Sequence, residues 1–157
     1  MRIVLLTLVV IVGITANAKA RLGETADQLV ARYGQPLSET DQKGEGTKIP
    51  LANVVFQKGG FEIDVTITNG VSVSEVFKKL NGSSIATDEA RYLLTANAQG
   101  RDWEAPHIVN GDKVWKRDDN ATALLSADGS LTIRSRELVV EETAAKRIEQ
   151  RPSLEGF

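Results

Sequence analysis

The sequence has no cysteine and a single histidine, His107, among its 157 residues. Without cysteine there are no disulfide bonds, no thiolate metal sites and no lipid-modified cysteine at a cleavage site. With one histidine, a catalytic triad or a zinc site could be built only around His107, and carboxylates would have to supply the remaining groups. We therefore expect no enzymatic activity, no metal and no other cofactor, and a fold that is stabilised by its hydrophobic core.

Long apolar runs are also missing, apart from residues 3–14 near the N-terminus. This run follows the basic residue Arg2 and precedes Ala18 and Ala20, whose spacing is typical of a signal peptidase site. Because a membrane-spanning helix needs about 20 apolar residues, the run favours a cleavable signal peptide over an uncleaved anchor. We predict a signal peptide over residues 1–20, with an alternative cut after Ala18, and a periplasmic or secreted bacterial protein.

The predicted mature chain, residues 21–157, is mildly acidic. The whole sequence has 19 basic and 21 acidic residues, and cleavage removes Arg2 and Lys19, which leaves 17 basic residues and a formal net charge of −4. This charge argues against nucleic acid and anionic membrane surfaces as partners. We expect one domain over residues 21–157, without stable membrane insertion after cleavage.

Three segments of the mature chain carry helix signals. The first begins with a capping box, Thr25 and Gln28, and ends at Gly34, where a left-handed residue suits a helix terminus. Thr87 or Asp88 is the predicted cap of the second, and the third places acidic residues before basic ones, as the helix dipole favours. The predicted helices cover residues 25–33, 87–98 and 141–151.

Strand signals follow the first helix, after a polar segment over residues 37–50 that we predict to be a loop. From Phe61 to Thr68 apolar and polar residues alternate, as in a strand that is buried on one face. The carboxylates of Glu62 and Asp64 and the hydroxyls of Thr66 and Thr68 should then share the opposite, outward face.

The turn at residues 69–70 allows two registers. A two-residue hairpin would place polar residues opposite apolar ones, whereas a three-residue loop pairs Ile67 with Val71 and keeps one face apolar. We predict the three-residue loop for this reason. Its weak point is Glu75, which would lie opposite Ile63 and therefore indicates a bulge or a sheet edge.

A second group of strands follows the second helix. We predict a strand over residues 113–117 and then a hairpin with a three-residue loop at 127–129. In this hairpin Leu125 should pair with Leu131, since both then face the core. The last strand is predicted to continue through Val140.

These elements predict an α+β fold, with an antiparallel sheet of about six to seven strands and two or three helices packed on one face. Residues 56–70 and 115–129 share the spacing from an aromatic residue to a turn. One interpretation is a duplicated helix-plus-three-strand unit; the alternative is a coincidence of common hairpins, because the apolar phase relative to the turn differs. The units would be residues 21–82 and 83–140, followed by the C-terminal helix 141–151.

The opening helix resembles that of the SmpA/OmlA type of small bacterial envelope proteins. The residues that carry the resemblance are Gly23, Thr25, Gln28, Leu29, Gly34 and Pro36. The resemblance implies the fold of the β-lactamase inhibitory protein, in which helices pack on an antiparallel sheet, and it implies protein binding in the envelope. The sequence departs from this family in having no lipid-anchored cysteine, so outer-membrane anchoring is not expected.

Two sets of residues are candidates for binding a partner protein. One is the outward strand face with Glu62, Asp64 and Thr66. The other combines Trp103, Trp115 and Arg117, because tryptophan near arginine is typical of interface hot spots, although a core position is the alternative for both tryptophans. Our preferred hypothesis is a non-enzymatic interaction module that binds another envelope protein with its sheet face.

The alternative hypothesis is a small exported hydrolase or ligand-binding domain centred on His107. The candidate carboxylates near it in the sequence are Asp102, Glu104 and Asp112. This hypothesis requires His107 to lie in a cleft with one of these carboxylates, so the geometry around the imidazole distinguishes the two interpretations.

Overall fold

The computed structural model describes residues 22–42 and 51–149; the predicted signal peptide, residues 1–20, lies outside the described residues. Within the described ranges the chain forms one antiparallel sheet of eight strands and three helices. The fold is therefore mixed α+β, as predicted, but the sheet has more strands than the predicted six to seven.

A helix followed by four strands occurs twice along the described chain, and a third helix follows. The elements are α1 Ala26–Tyr33, β1 Ser38–Gln42, β2 Leu51–Lys58, β3 Phe61–Thr68, β4 Val71–Lys79, α2 Thr87–Ala96, β5 His107–Val109, β6 Asp112–Lys116, β7 Thr122–Leu125, β8 Leu131–Arg134 and α3 Arg136–Glu149. The spatial order of the strands is β1-β2-β3-β4-β8-β7-β6-β5. The last strand of each half therefore meets its counterpart at the centre, and the first strands form the two edges.

The two edge strands account for the difference in strand count, since each half has four strands and not three. β1 lies within the predicted loop 37–50, and its sequence SETDQ has no apolar alternation that could signal a strand. Pairing with β2 supplies its hydrogen bonds. β5 has only three residues. A common origin of the two halves stays a prediction.

The β3–β4 hairpin has the two-residue turn, so our prediction of a three-residue loop is wrong. Thr68 pairs with Val71 across residues 69–70, whose φ angles are both positive, 52° and 79°. These angles match the turn type that suits the twist of a hairpin. The register then shifts between Thr66 and Ile67 at a bulge, which brings the apolar residues back to one face.

The bulge decides the position of Glu75. Beyond it Val65 pairs with Glu75, and Ile63 pairs with Phe77 instead of Glu75. Because partners in register share a face of the sheet, Glu75 lies on the same side as the core residues Val65 and Phe77. A bulge was one of the two alternatives that we considered at Glu75, but the bulge lies between Thr66 and Ile67, and its effect is to direct a carboxylate inward.

The hairpin between β7 and β8 has the predicted register. Leu125 pairs with Leu131 and Ala123 with Ile133. All four side chains are buried in the core. The apolar pattern alone was sufficient to predict this register, because the two strands place no polar residue on the core face.

The core lies between one face of the sheet and the helices α1 and α2. Leu29 and Tyr33 from α1 belong to the same buried cluster as Ala90 and Leu94 from α2. The sheet contributes aromatic and aliphatic side chains from both halves to this cluster: Val54, Phe56, Ile63, Val65, Phe77, Trp115, Ala123, Leu125, Leu131 and Ile133.

The helix predictions differ in accuracy. The capping box at Thr25 is present, with the Gln28 side chain accepting from the Thr25 amide at 2.9 Å. The N-terminal cap of the second helix is Ala86 and not the predicted Thr87 or Asp88, and the helix ends at Ala96, two residues before the predicted end. The third begins at Arg136, so the strand does not continue through Val140.

Candidate functional site: a mixed sheet face and a buried carboxylate

The sheet face opposite the core carries the first set of predicted binding residues. Glu62, Asp64 and Thr66 are all half-buried on β3, whereas Thr68, which we predicted to be outward and accessible with them, is buried. Asp64 has Val55 and Val76 as its strand partners on either side. The row continues across the sheet through Thr132, Leu124 and Val114. None of these side chains belongs to the buried core cluster, so we call this surface, with Glu62 and Thr66, the open sheet face.

Charges of both signs lie on the open sheet face, and in the first half Lys78 lies opposite Glu62. The acidic residues Glu62 and Asp64 lie on β3 in the first half. Arg134, which is opposite Ser74, and Lys116, which is opposite Thr122, lie on the same face in the second half. Aliphatic side chains occupy the row between these charges. Such a mixture is characteristic of protein-binding surfaces, in which an apolar centre is bordered by polar groups.

Trp103 and Arg117 lie together on the other side of the sheet. The Arg117 guanidinium carbon is 5.4 Å from the Trp103 ring centroid, a cation–π geometry. The Trp103 indole donates to the Leu94 carbonyl at 2.9 Å. Arg117 is 3% exposed and donates to both carboxylate oxygens of Asp119, at 2.9 and 2.8 Å. It also donates to the Asn97 carbonyl at the end of α2.

Trp115 is 3% exposed and belongs to the core cluster, which is the alternative that we considered for it. The six predicted binding residues therefore divide into two groups on opposite faces. Glu62, Asp64 and Thr66 share one accessible face, whereas Trp115 and Arg117 are buried and Trp103 partly covers them from the helix side. Partner binding by any of them stays a prediction.

A fully buried carboxylate lies at the centre of the core. Glu75 is 0% exposed and pairs with Ile133 across the strands that join the two halves. Its Oε2 accepts from the Asn97 side-chain amide at 3.2 Å and from the Tyr33 hydroxyl at 3.4 Å. Its Oε1 has no hydrogen-bond partner, nor does the side-chain oxygen of Asn97, among the described residues.

Burial raises the pKa of Glu75 to about 7, and the nearby Glu24 carboxylate adds to this. The Asn97 amide, Arg32 and the Tyr33 hydroxyl act in the opposite direction, because each stabilises the ionised form. Burial beside Glu75 also raises the pKa of Tyr33 far above its ordinary value. Near neutral pH the Glu75 side chain therefore exchanges between the charged and neutral forms inside the core.

A second buried ion pair flanks Glu75 on the side of α1. The Arg32 guanidinium binds both carboxylate oxygens of Glu24, through Nε at 2.7 Å and through Nη2. The side chains are 9% and 12% exposed, respectively. The remaining nitrogen of Arg32, Nη1, is buried and has no partner in the described part of the chain. Each half therefore fixes an arginine to a carboxylate beside its helix.

Sequence reasoning missed this cluster. Glu75 was recognised only as a register conflict, and Glu24, Arg32 and Asn97 gave no signal, because their partners are 8 to 22 residues away and depend on tertiary packing. The sequence signal that could have identified Glu75 is its position within the strand 71–79. If the apolar residues of this strand share one face, either the Glu75 carboxylate points into the core or a bulge interrupts the pairing.

His107 is exposed on the edge strand β5, where it pairs with Val114 on β6. The carboxylate of Asp112 accepts from the Ala127 amide at 2.9 Å. Other residues line the three cavities that we consider among the described residues, and His107, Asp102 and Glu104 are all exposed. Residues 22–42 and 51–149 also contain no group of three or more histidine or acidic side chains that could hold a metal ion.

These features define a mixed α+β protein with one eight-stranded antiparallel sheet and two helices in its core. No family model and no curated protein matches the chain. It is similar to the solved structure of a cysteine-rich secretory protein from Staphylococcus aureus subsp. aureus Mu50, at 14% sequence identity and a TM-score of 0.41. The similarity covers 75% of this chain and 46% of that one, so this chain spans less than half of that structure.

The described helices are all too short or too polar to cross a bilayer. The resemblance of the opening helix to SmpA/OmlA proteins stays a prediction, as does the location of the protein.

Proposed function

We propose that this protein is an exported, non-enzymatic interaction module that binds another protein of the bacterial envelope with its open sheet face. The observation that supports the proposal is the composition of that face. Val76, Leu124 and Val114 form an aliphatic row that is separate from the core, and charged residues of opposite sign border it.

The core explains how this face can be presented rigidly. α1 and α2 pack on the inner side, and the buried ion pairs of Arg32 and Arg117 fix the ends of these helices. The outer face therefore needs no rearrangement before binding, which reduces the entropic cost of association. Arg134 is already paired with Glu142 of α3 at 3.1 Å. A partner with basic groups opposite β3 and an acidic group opposite Lys116 would complement the remaining charges.

The test is capture of a partner by the mature chain, residues 21–157, from an extract of the bacterial envelope. The face variants Asp64→Lys and Leu124→Arg should each abolish capture, because one reverses a bordering charge and the other places a charge in the aliphatic row. Tyr92→Ser is the matched control, since Tyr92 is 77% exposed on α2, on the opposite side of the sheet. Thermal unfolding must show that all three variants remain folded.

Two outcomes would contradict the proposal. One is that no protein is enriched over an unrelated exported protein. The other is that Tyr92→Ser reduces capture as much as the face variants do, which would move the binding surface to the helices.

Export is a separate part of the proposal and depends on the predicted signal peptide. The cell fraction that contains the protein and the N-terminal sequence of the purified product test it. We expect a mature chain that begins at Arg21 in the periplasm or the medium; an uncleaved chain in the membrane fraction would overturn it. No observation favours the alternative centred on His107, because this side chain is exposed on an edge strand.

A further inference from the structure

A groove of about 400 Å³ lies between α1 and α2, on the face opposite the open sheet face. Its lining is mainly apolar: Phe61, Ile63 and Phe77 come from the sheet, and Leu93 and Ala96 come from α2. The Phe61 and Phe77 rings meet edge to face, with centroids 6.4 Å apart. This volume and lining are typical of sites that hold small molecules.

One end of the groove is basic. Arg32 and Lys58 both line it, and the Lys58 ammonium donates to the backbone carbonyl of Arg32. The Arg32 guanidinium is directed to Glu24, which it binds through Nε and Nη2, and its Nη1 is buried. Lys58 is exposed and is therefore the cation that a ligand in the groove can reach.

The acidic residue in the lining does not cancel this charge. Glu89 lies 2.7 Å from Lys79 in an ion pair and accepts from the Ala86 amide at the start of α2. Glu24 neutralises Arg32 through the other two guanidinium nitrogens. Lys58 takes part in none of the ion pairs formed by the described residues, so its charge is the one left at the groove.

We propose that this groove binds a small amphipathic carboxylate, with its hydrocarbon part on Phe61, Ile63 and Phe77 and its carboxylate against Lys58. The apolar lining gives affinity for the hydrocarbon part, and the Lys58 ammonium selects an anionic head over a neutral or cationic one. The site is independent of the open sheet face, which lies on the other side of the sheet.

The experiment uses octanoate as the probe, with 1-octanol and octylammonium as ligands of the same chain length and different charge. Binding to the mature chain is followed by ¹H–¹⁵N NMR titration. We expect saturable shifts of the amides of Lys58, Leu93 and Ala96 with octanoate. Octanol should bind about tenfold more weakly, the equivalent of one lost charge-assisted contact, and octylammonium should not bind.

Two charge reversals separate a local contact from a general electrostatic effect. Lys58→Glu should weaken octanoate binding at least about tenfold and leave octanol binding unchanged. Lys116→Glu makes the same change of net charge on the open sheet face and should leave both affinities unchanged. Ala96→Phe fills the groove and should abolish binding of both ligands.

The proposal is overturned if octanoate gives no saturable shifts, or if octylammonium binds as tightly as octanoate. Equal weakening by Lys58→Glu and Lys116→Glu would also overturn it, because the anion would then sense only net charge. If Ala96→Phe fails to fold, the comparison of the two lysine variants still decides the outcome, since both lysines lie on the surface of the sheet or the groove.

Discussion

The two halves of the sheet follow the same order of elements but differ in length and in the size of their core residues. Strands β2, β3 and β4 have eight, eight and nine residues, whereas β5 to β8 have three to five. The first half packs Tyr33, Phe56 and Phe77 in the core, with the Tyr33 and Phe56 rings 5.4 Å apart. The second half relies on Trp115 and smaller side chains such as Ala123.

The comparison shows that the shorter half depends on fewer, larger anchors. Its strands are short, and Trp115 and the hydrogen bonds of Arg117 to Asp119 and Asn97 connect strand and helix. In the longer half, several aromatic residues connect the strands with the helix. At the centre β4 and β8 pair directly, so the two halves share one continuous core, and we expect them to unfold together.

The largest expected effect comes from removing one aromatic anchor in each half. Phe56→Ala and Trp115→Ala should each lower the free energy of unfolding by about 3 to 5 kcal/mol, since both side chains are almost fully buried. Urea unfolding, followed by circular dichroism and by tyrosine fluorescence, measures this. A single shared transition in both variants supports one cooperative unit. If Trp115→Ala melts the second half while the first half stays folded, the halves are separate folding units.

The next largest effect on stability concerns the two ion pairs, Arg32 with Glu24 and Arg117 with Asp119. Arg32→Ala leaves Glu24 buried without its cation and should cost about 3 kcal/mol. Arg117→Ala should cost less, because its partner Asp119 is 27% exposed and water can solvate the carboxylate, whereas Glu24 is 12% exposed. Chemical unfolding at neutral pH gives both values. A double variant, Glu24→Gln with Arg32→Met, should recover much of the loss; if it does not, packing and not charge explains the Arg32 result.

The carboxylate between the halves makes stability depend on pH. Because the pKa of Glu75 is raised from 4.5 to about 7, the folded protein binds a proton that the unfolded chain has released over this interval. The contribution of Glu75 to the free energy of unfolding is therefore fully present below about pH 4.5, and it is lost as the pH rises to about 7. The loss is on the order of 3 kcal/mol.

Glu75→Gln tests this directly, because glutamine keeps the shape and cannot ionise. The variant should match the natural chain near pH 4.5, exceed it above pH 7, and have a flatter stability profile between these values. Unfolding at several pH values measures the difference. Asp64→Asn is the matched control on the open sheet face and should leave the profile unchanged. An equal loss of stability in Glu75→Gln at every pH would show that the hydrogen bonds, and not the charge, determine the role of Glu75.

A structural feature could be predicted from the sequence when it is determined by residues that are close together in the chain. The capping box at Thr25 and the hairpin after Leu125 were predicted correctly, because neighbouring residues determine both. The edge strand β1 was missed, since pairing with β2 and not its own pattern makes it a strand. Glu75 was directed inward by a bulge between Thr66 and Ile67, and a simple alternating pattern cannot locate the bulge.

The same division applies to the candidate sites. The set Glu62, Asp64 and Thr66 was predicted to share a face and does, because alternation within one strand determines it. The groove and its basic end join α1, the β2–β3 turn and α2, which are distant in the sequence. Their assembly depends on the strand order, and no local pattern in the chain contains that order.

The smallest expected effect compares how the two core helices begin. α1 has the Thr25 hydroxyl and the Gln28 side chain as caps, whereas α2 begins at Ala86, which has no side-chain acceptor for the free amides of the first turn. Thr25→Ala should therefore cost about 1 kcal/mol, and Ala86→Ser should stabilise by a similar or smaller amount, since Glu89 already accepts from the Ala86 amide. Thermal unfolding of the two variants and of their combination measures both. Because the caps lie in different halves of one cooperative fold, the two effects should add; a failure of Ala86→Ser to stabilise would show that the Glu89 carboxylate, held by Lys79, already satisfies the start of α2.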